Sequence, residues 1–368
     1  MKRFSCFFLF FILCALCSAK TIEFPKESTV FSIPAAKDLL TVCSKHFKDK
    51  TREVFTQYNL TILVQEGYEK SDDVISHTAA FTVGKGKVLV GGIARDAFVI
   101  AVRGTDGAEW YSNFDFAPSH SNATQFAENF LFSAQDIFLE SYRIIQKNKS
   151  VRNPVVIVCG HSRGAACANI LGILFNGVYD AANVYVYTFA TPATIRNQDN
   201  AEKMDNIFNV INQCDIVPKV PFSSWGFVRA GKDILLCNDK KRAAELDEAV
   251  KLLQKISPDV SSYYTVRHSI TGSGVSNDGI TMYEMMLLLC GKIVPATKQL
   301  LDKNSDVVNN KQIPYTKMNI TSFVSSSSDF SAFAYEVEQL SNNDGNGARQ
   351  LLNEHLPDTY MALLNEGD

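Results

Sequence analysis

The chain has 368 residues, 46% of them apolar and 20% charged, with a formal net charge of -3. That is enough apolar side chain to fill the core of one large α/β domain, and it excludes a chain disordered throughout. The nearly balanced charge gives no broad attraction to a phosphate backbone or an anionic bilayer, so nucleic acid is excluded as an expected partner.

Residues 1–19 stand apart. Lys2 and Arg3 precede the apolar run FSCFFLFFILCALC, and small residues follow at Cys17 and Ala19. This is the layout of a secretory signal peptide, and the run is shorter than the roughly 20 residues that span a bilayer. Cleavage near Ala19 and export to the periplasm or the cell exterior are therefore expected. Beyond the leader remain Cys43, Cys159, Cys167, Cys214, Cys237 and Cys290, with no C-x-x-C pair among them, so no structural zinc is expected. An oxidising compartment would permit disulfides, but Cys159 and Cys167 read as packed thiols. The triplets at Asn59, Asn122, Asn148 and Asn319 match the N-glycosylation pattern, which matters only in a eukaryotic host.

In chain order, runs rich in β-branched residues predict strands at 59–68, 77–83 and 96–104. A stripe of Phe126, Phe130, Ala134, Ile137, Phe138 and Ile145 predicts a helix over 126–146. The wholly apolar PVVIVCG then predicts a strand, residues from Gly164 to about Phe175 a helix, and NVYVYTFAT another strand. Strand, helix, strand with no polar alternation implies a parallel sheet covered by helices on both faces, an α/β fold with its site at the carboxyl ends of the strands. A further apolar strand starts at 206 and is predicted to end at Asp215. Leu246, Ala249, Val250, Leu253 and Ile256 mark an amphipathic helix, and 280–294 another. Residues 20–368 therefore read as one domain, with 240–345 as a mostly helical insertion before a terminal helix that opens at Pro357.

The stretch VVIVCGHSRGAACANI carries the chemistry. In GHSRG, Gly160 and Gly164 flank Ser162 at both second neighbours, which lets a strand turn sharply into a helix with the serine at the apex. A nucleophilic serine needs a base, an orienting carboxylate and oxyanion donors. Thr105, after the strand VIAVRG, could offer a backbone N–H and a hydroxyl, and Arg163 a backbone N–H. Asp215, after a strand and before the stiffening Pro218 and Pro221, suits the acid.

At this point the sequence resembles the class 3 lipases, an α/β-hydrolase family. The resemblance rests on VIAVRGTDGAEWYSNFDF, GHSRGAA, YTFATPAT and NVINQCDIVPKVPFSSWGFVRAGKDILL, and covers roughly residues 55 to 237. It implies Ser162 as nucleophile, Asp215 as acid and Thr105 with Arg163 as oxyanion donors. It also implies that Trp110 to Phe116 lie near the entrance, where family members carry a lid. The usual elbow reads GHSLG, so Arg163 is a departure expected to place a cation at the mouth.

The order Ser, Asp, His leaves His268 and His355 as candidate bases. Spacing speaks for His268, which lies 53 residues after Asp215, the same gap that separates Ser162 from Asp215. Context speaks for His355, which precedes a Pro-started terminal helix, with Tyr360 five residues on as in the terminal motif of bacterial class 3 lipases. His268 is followed by the glycine-rich TGSGVSNDG, too loose to fix an imidazole, so His355 is the expected base. The expected function is hydrolysis of a lipid or lipid-like carboxylic ester, with no metal, no organic cofactor and no stable protein partner. Two rivals stay open: a non-catalytic secreted binding protein on the same scaffold, and an acyltransferase with the same triad.

Overall fold

Four consecutive β-branched residues open the strand Val155–His161, and every residue in it is buried. A strand with no solvent face has to be covered on both sides. The computed structural model describes residues 20–44, 48–68, 79–104, 128–195, 204–256 and 353–367, and in them both covers are present.

The order is β1 (Glu23–Phe24), α1 (Ile33–Cys43), α2 (Lys48–Gln57), β2 (Thr61–Glu66), β3 (Phe81–Val90), β4 (Ile93–Val102) and α3 (Glu128–Lys147). There follow β5 (Val155–His161), α4 (Arg163–Asn176), β6 (Val184–Phe189), β7 (Ile207–Asn212), β8 (Lys232–Leu236), α5 (Lys240–Ile256) and α6 (Pro357–Glu366). The strands form one sheet in the order β1-β3-β4-β5-β6-β7-β8, and β2 also pairs with β3. From β4 to β8 every pairing is parallel, while β2, β3 and β4 are joined antiparallel.

Alternation along the strands sorts the core into two layers. Phe98, Ile100, Val102, Val156, Val158 and Val186 face α3 and α4, where Phe130, Ala134, Ile137, Ile170 and Leu171 meet them. Val99, Ala101, Ile157, Cys159 and Tyr187 face the other way, onto Leu39 and Leu40 of α1 and onto Tyr360 and Leu364 of α6. Each such fully buried large side chain contributes about 1.5–3 kcal/mol. The α/β class and the parallel sheet read from the sequence are the architecture observed. Leu246 of α5 joins the first layer, so the start of the predicted insertion packs on the sheet.

The sequence reading missed α1, α2, β1, β8 and most of β3. Glycine in a strand reads as a break, yet β3 runs on through Gly84 and Gly86. A Cβ at Gly84 would stand 2.6 Å from the Phe55 ring, and one at Gly86 would stand 2.8 Å from the Asn59 carbonyl oxygen, so the glycines make room for α2 and its exit turn. The strand expected to end at Asp215 ends at Asn212 instead. The Asn212 side chain accepts the Cys214 N–H at 3.0 Å and its carbonyl accepts the Asp215 N–H at 3.0 Å, which turns the chain before the acid is reached.

A buried polar knot ties α4, β6, β7 and β8 together. The Asn209 amide donates to the Ala230 carbonyl at 2.9 Å and to Asp233 at 3.1 Å. Its oxygen accepts from Asn169 and from Thr188, both at 2.8 Å. Asn169 in turn accepts the Ala230 N–H at 3.0 Å.

Candidate active site

The elbow is held by backbone crowding. A Cβ on Gly160 would lie 2.2 Å from the Gly164 carbonyl oxygen, and one on Gly164 would lie 2.3 Å from the Val102 carbonyl oxygen. Only hydrogen fits at either place, so Gly160 lets β5 meet α4 at this distance, and Gly164 lets α4 meet the end of β4. Ser162 between them has φ 57° and ψ -123°, a conformation L residues rarely adopt and one that costs on the order of 1–3 kcal/mol. Its N–H bonds the Phe189 carbonyl at 2.9 Å, and its own carbonyl accepts the Ala166 N–H at 3.1 Å, so the surroundings hold the strained turn from both sides.

His355 meets the serine from the far end of the chain. Its Nε2 stands 2.9 Å from Ser162 Oγ, and its Nδ1 2.8 Å from Asp215 Oδ2. Asp215 is fully buried and both of its oxygens have partners: Oδ1 accepts the Val217 N–H at 2.9 Å, and Oδ2 also accepts the Tyr360 hydroxyl at 2.8 Å. Tyr360 accepts the Asn212 N–H at 3.2 Å. Burial first, and the Asp215 charge second, push the Tyr360 hydroxyl well above its usual range, so it stays protonated and donates to the carboxylate.

His161, the elbow histidine, lies against the base. Since a carbonyl only accepts, its Nε2–H donates to the His355 carbonyl at 2.9 Å, and the two rings sit 4.9 Å apart. Glu354, one residue before the base, is 7% exposed, and its carboxylate accepts from Arg242 at 3.0 Å and from Asn212 at 2.8 Å. Sequence reasoning missed His161, Asn212, Arg242 and Glu354. Only His161 carried a local signal, since it belongs to the elbow motif itself.

The structure thus brings together Ser162, Asp215 and His355. Arg163 opens α4, where main-chain N–H groups have no acceptor within the helix. Its side chain corrects one expectation, because it is not a cation at the mouth. Arg163 is 2% exposed, and its guanidinium donates to Ser133 Oγ at 3.3 Å and lies 5.9 Å from the Phe130 ring centre, drawn beneath α3. Thr105, His268, Trp110 to Phe116 and the leader lie outside the described residues. Cys214, beside the acid, is pushed up to about 12, chiefly by burial, and stays a thiol. Cys43, Cys159 and Cys167 are likewise buried thiols. Among the described residues no group of three His, Cys, Asp or Glu is placed to hold a metal ion. Among the same residues, no helix is long and apolar enough to cross a membrane.

Residues 99–225 match the model of the lipase (class 3) family. Among solved structures, the native Rhizomucor miehei lipase propeptide complex is similar at 19% identity over 55% of this chain and 68% of that one, with a TM-score of 0.42. Rhizomucor miehei triacylglyceride lipase gives 18% identity over 55% and 80%, with a TM-score of 0.44. The lipase from Rhizopus microsporus var. chinensis gives 17% over 55% and 74%, with a TM-score of 0.43. No curated protein matches the chain. The strand before the elbow, the elbow and the acid loop all fall within the segment that matches the lipase (class 3) family, and this match supports a lipase-type ester hydrolase.

Proposed function

We propose that the protein is an exported serine carboxylester hydrolase that cleaves lipid or lipid-like esters. One observation carries this reading: a continuous line from Ser162 Oγ through His355 to a buried Asp215, with links of 2.9 and 2.8 Å. Ser162 Oγ attacks the ester carbonyl while His355 Nε2 takes its proton, and Asp215 holds Nδ1 and stabilises the imidazolium. The N–H groups of Arg163 and Thr105, with the Thr105 hydroxyl, hold the oxyanion, each donor contributing about 2.7–4 kcal/mol. The tetrahedral intermediate collapses as His355 returns the proton to the leaving alcohol. Water, deprotonated by the same imidazole, then attacks the acyl-serine, and as the acyl–Oγ bond breaks His355 returns the proton to Ser162 Oγ and the carboxylic acid leaves.

Substrate class rests on the family match and on the aromatic segment Trp110 to Phe116 after Thr105. Export rests on the charge and apolar pattern of residues 1–19, and sequencing the amino terminus of the mature secreted protein tests it. The decisive experiment exposes wild type and Ser162→Ala to a fluorophosphonate probe, then to nitrophenyl esters of rising chain length and emulsified triglyceride. Labelling and turnover that vanish in Ser162→Ala support the reading. An unlabelled wild type would leave a binding protein on a hydrolase scaffold.

A further inference from the structure

We infer that α5 is a splint joining the acid-bearing and base-bearing loops, and that Glu354 is the positioning residue through which it holds His355; the inference rests on the triad reading above. Two ion pairs on one helix carry it. Arg242, in the first turn of α5, donates through Nη1 to Glu354 Oε1 at 3.0 Å across 112 residues of chain. Five residues on, Asp247 pairs with Lys219 Nζ at 2.6 Å. Lys219 ends the single 3₁₀ turn Val217–Lys219, whose first N–H bonds Asp215 Oδ1. One end of α5 therefore grips the residue next to the base, and the next turn grips the loop that seats the acid. Between the two pairs, Leu246 is fully buried, so the helix is also anchored by packing.

Glu354 is built into its place by two residues through three hydrogen bonds. Besides Arg242, the Asn212 amide nitrogen reaches both Glu354 Oε2 at 2.8 Å and the Glu354 carbonyl at 3.0 Å. A carboxylate this deeply buried is costly unless its oxygens are occupied by donors, and here both are. The chain on the far side of His355 is fixed by α6 through Tyr360, which shares Asp215 with the imidazole. On the near side, residues 353–356 form a turn closed by the Leu356 N–H to the Asn353 carbonyl at 3.1 Å. A one-turn segment has little stiffness of its own, and a displacement of about 1 Å at a reacting group is enough to lose catalysis. Glu354, clamped by Arg242 and Asn212, restrains that turn.

The test compares Arg242→Met, Arg242→Lys, Glu354→Gln and the neighbouring surface variant Lys241→Ala in the full-length protein. The substrate is a short-chain nitrophenyl ester, kcat and KM are resolved separately, and Tm is measured alongside. Arg242→Met and Glu354→Gln are expected to lower kcat about tenfold or more, with KM within about twofold of wild type. Arg242→Lys is expected to restore kcat to within about threefold, and Lys241→Ala to leave it unchanged. Should a variant fold poorly, the fluorophosphonate labelling rate of its folded fraction replaces turnover and is expected to fall by the same factor. Wild-type kcat in Arg242→Met and Glu354→Gln, whatever happens to Tm, would overturn the splint and leave the hydrolase reading standing. An unlabelled wild type would overturn both.

Discussion

The elbow and the base segment meet at one hydrogen bond, yet they are held by opposite means. Ser162 is placed by contiguous residues and by steric exclusion, because the glycines on either side admit nothing larger than hydrogen. His355 is placed by distant polar partners: Asp215, His161 at its carbonyl, and Asn212 with Arg242 at its neighbour Glu354. Half of the site is thus stiff by backbone packing, and the other half by satisfied hydrogen bonds between remote parts of the chain. The first kind of placement fails when volume is added, and the second when a donor or acceptor is removed.

Five changes break or sharpen that contrast, beginning with the largest effect. His355→Ala removes the base without touching the elbow; kcat/KM is expected to drop about 10⁴-fold or more while circular dichroism stays that of wild type. His268→Ala should keep at least about a tenth of the activity, and the opposite outcome would move the base to His268. Gly164→Ala tests steric placement. Its Cβ would meet the carbonyl oxygens of Val102 and Arg103 at 2.3 and 2.6 Å, both backbone, so a loss of about 3 kcal/mol or more is expected in denaturant unfolding, with activity lost alongside.

Tyr360→Phe tests polar placement by removing one donor from Asp215 and one acceptor from Asn212. A loss of about 1.5–3 kcal/mol is expected, with a fall in kcat and little change in KM. This change also has a pH signature. The folded-state pKa of Tyr360 is raised above its ordinary value, so its contribution to stability is complete below about pH 10 and is lost as pH rises beyond it. Unfolding titrations should show a shallower alkaline decline in Tyr360→Phe than in wild type. Lys87→Ala, which breaks an exposed cross-strand pair with Asp96 at 3.1 Å, belongs to neither mode and should shift stability by no more than about 0.5 kcal/mol.

The same contrast explains what could be read before the fold was known. The strand, the glycine spacing and the helix around Ser162 are local signals, and so is the apolar stripe of α3. Each is a rule about neighbours in sequence. The fit of Asp215 and His355 to their places depends on pairings 140 and 193 residues apart, for which one sequence holds no periodic trace. His355 could still be favoured over His268 because Pro357 and the helix after it are local. Arg242 and Glu354 could not be found, since a charged residue at a helix start and another before a histidine look like any solvated pair. Arg163 misled for a related reason: its side chain leaves the motif that names it and ends beneath α3, whose Ser133 and Phe130 lie about 30 residues upstream. Glycines hid β3, and exposure hid β8, because a border strand is written partly for solvent.

The polar knot beneath β7 bears on how the molecule avoids assembling wrongly. Among the described strands β8 stands at the border, where a slipped copy of itself or a strand from another molecule can compete for the same backbone ladder. Greasy side chains tolerate such impostors. Asn209 does not, for it demands a carbonyl and a carboxylate oxygen at once, and Asn169 demands the amide hydrogen of the same Ala230. A newcomer or a one-residue slip would leave these amides dry inside the protein, a penalty large enough to reject it. Fidelity of the last strand is therefore proofread by polarity, in a layer where almost everything around it is oil.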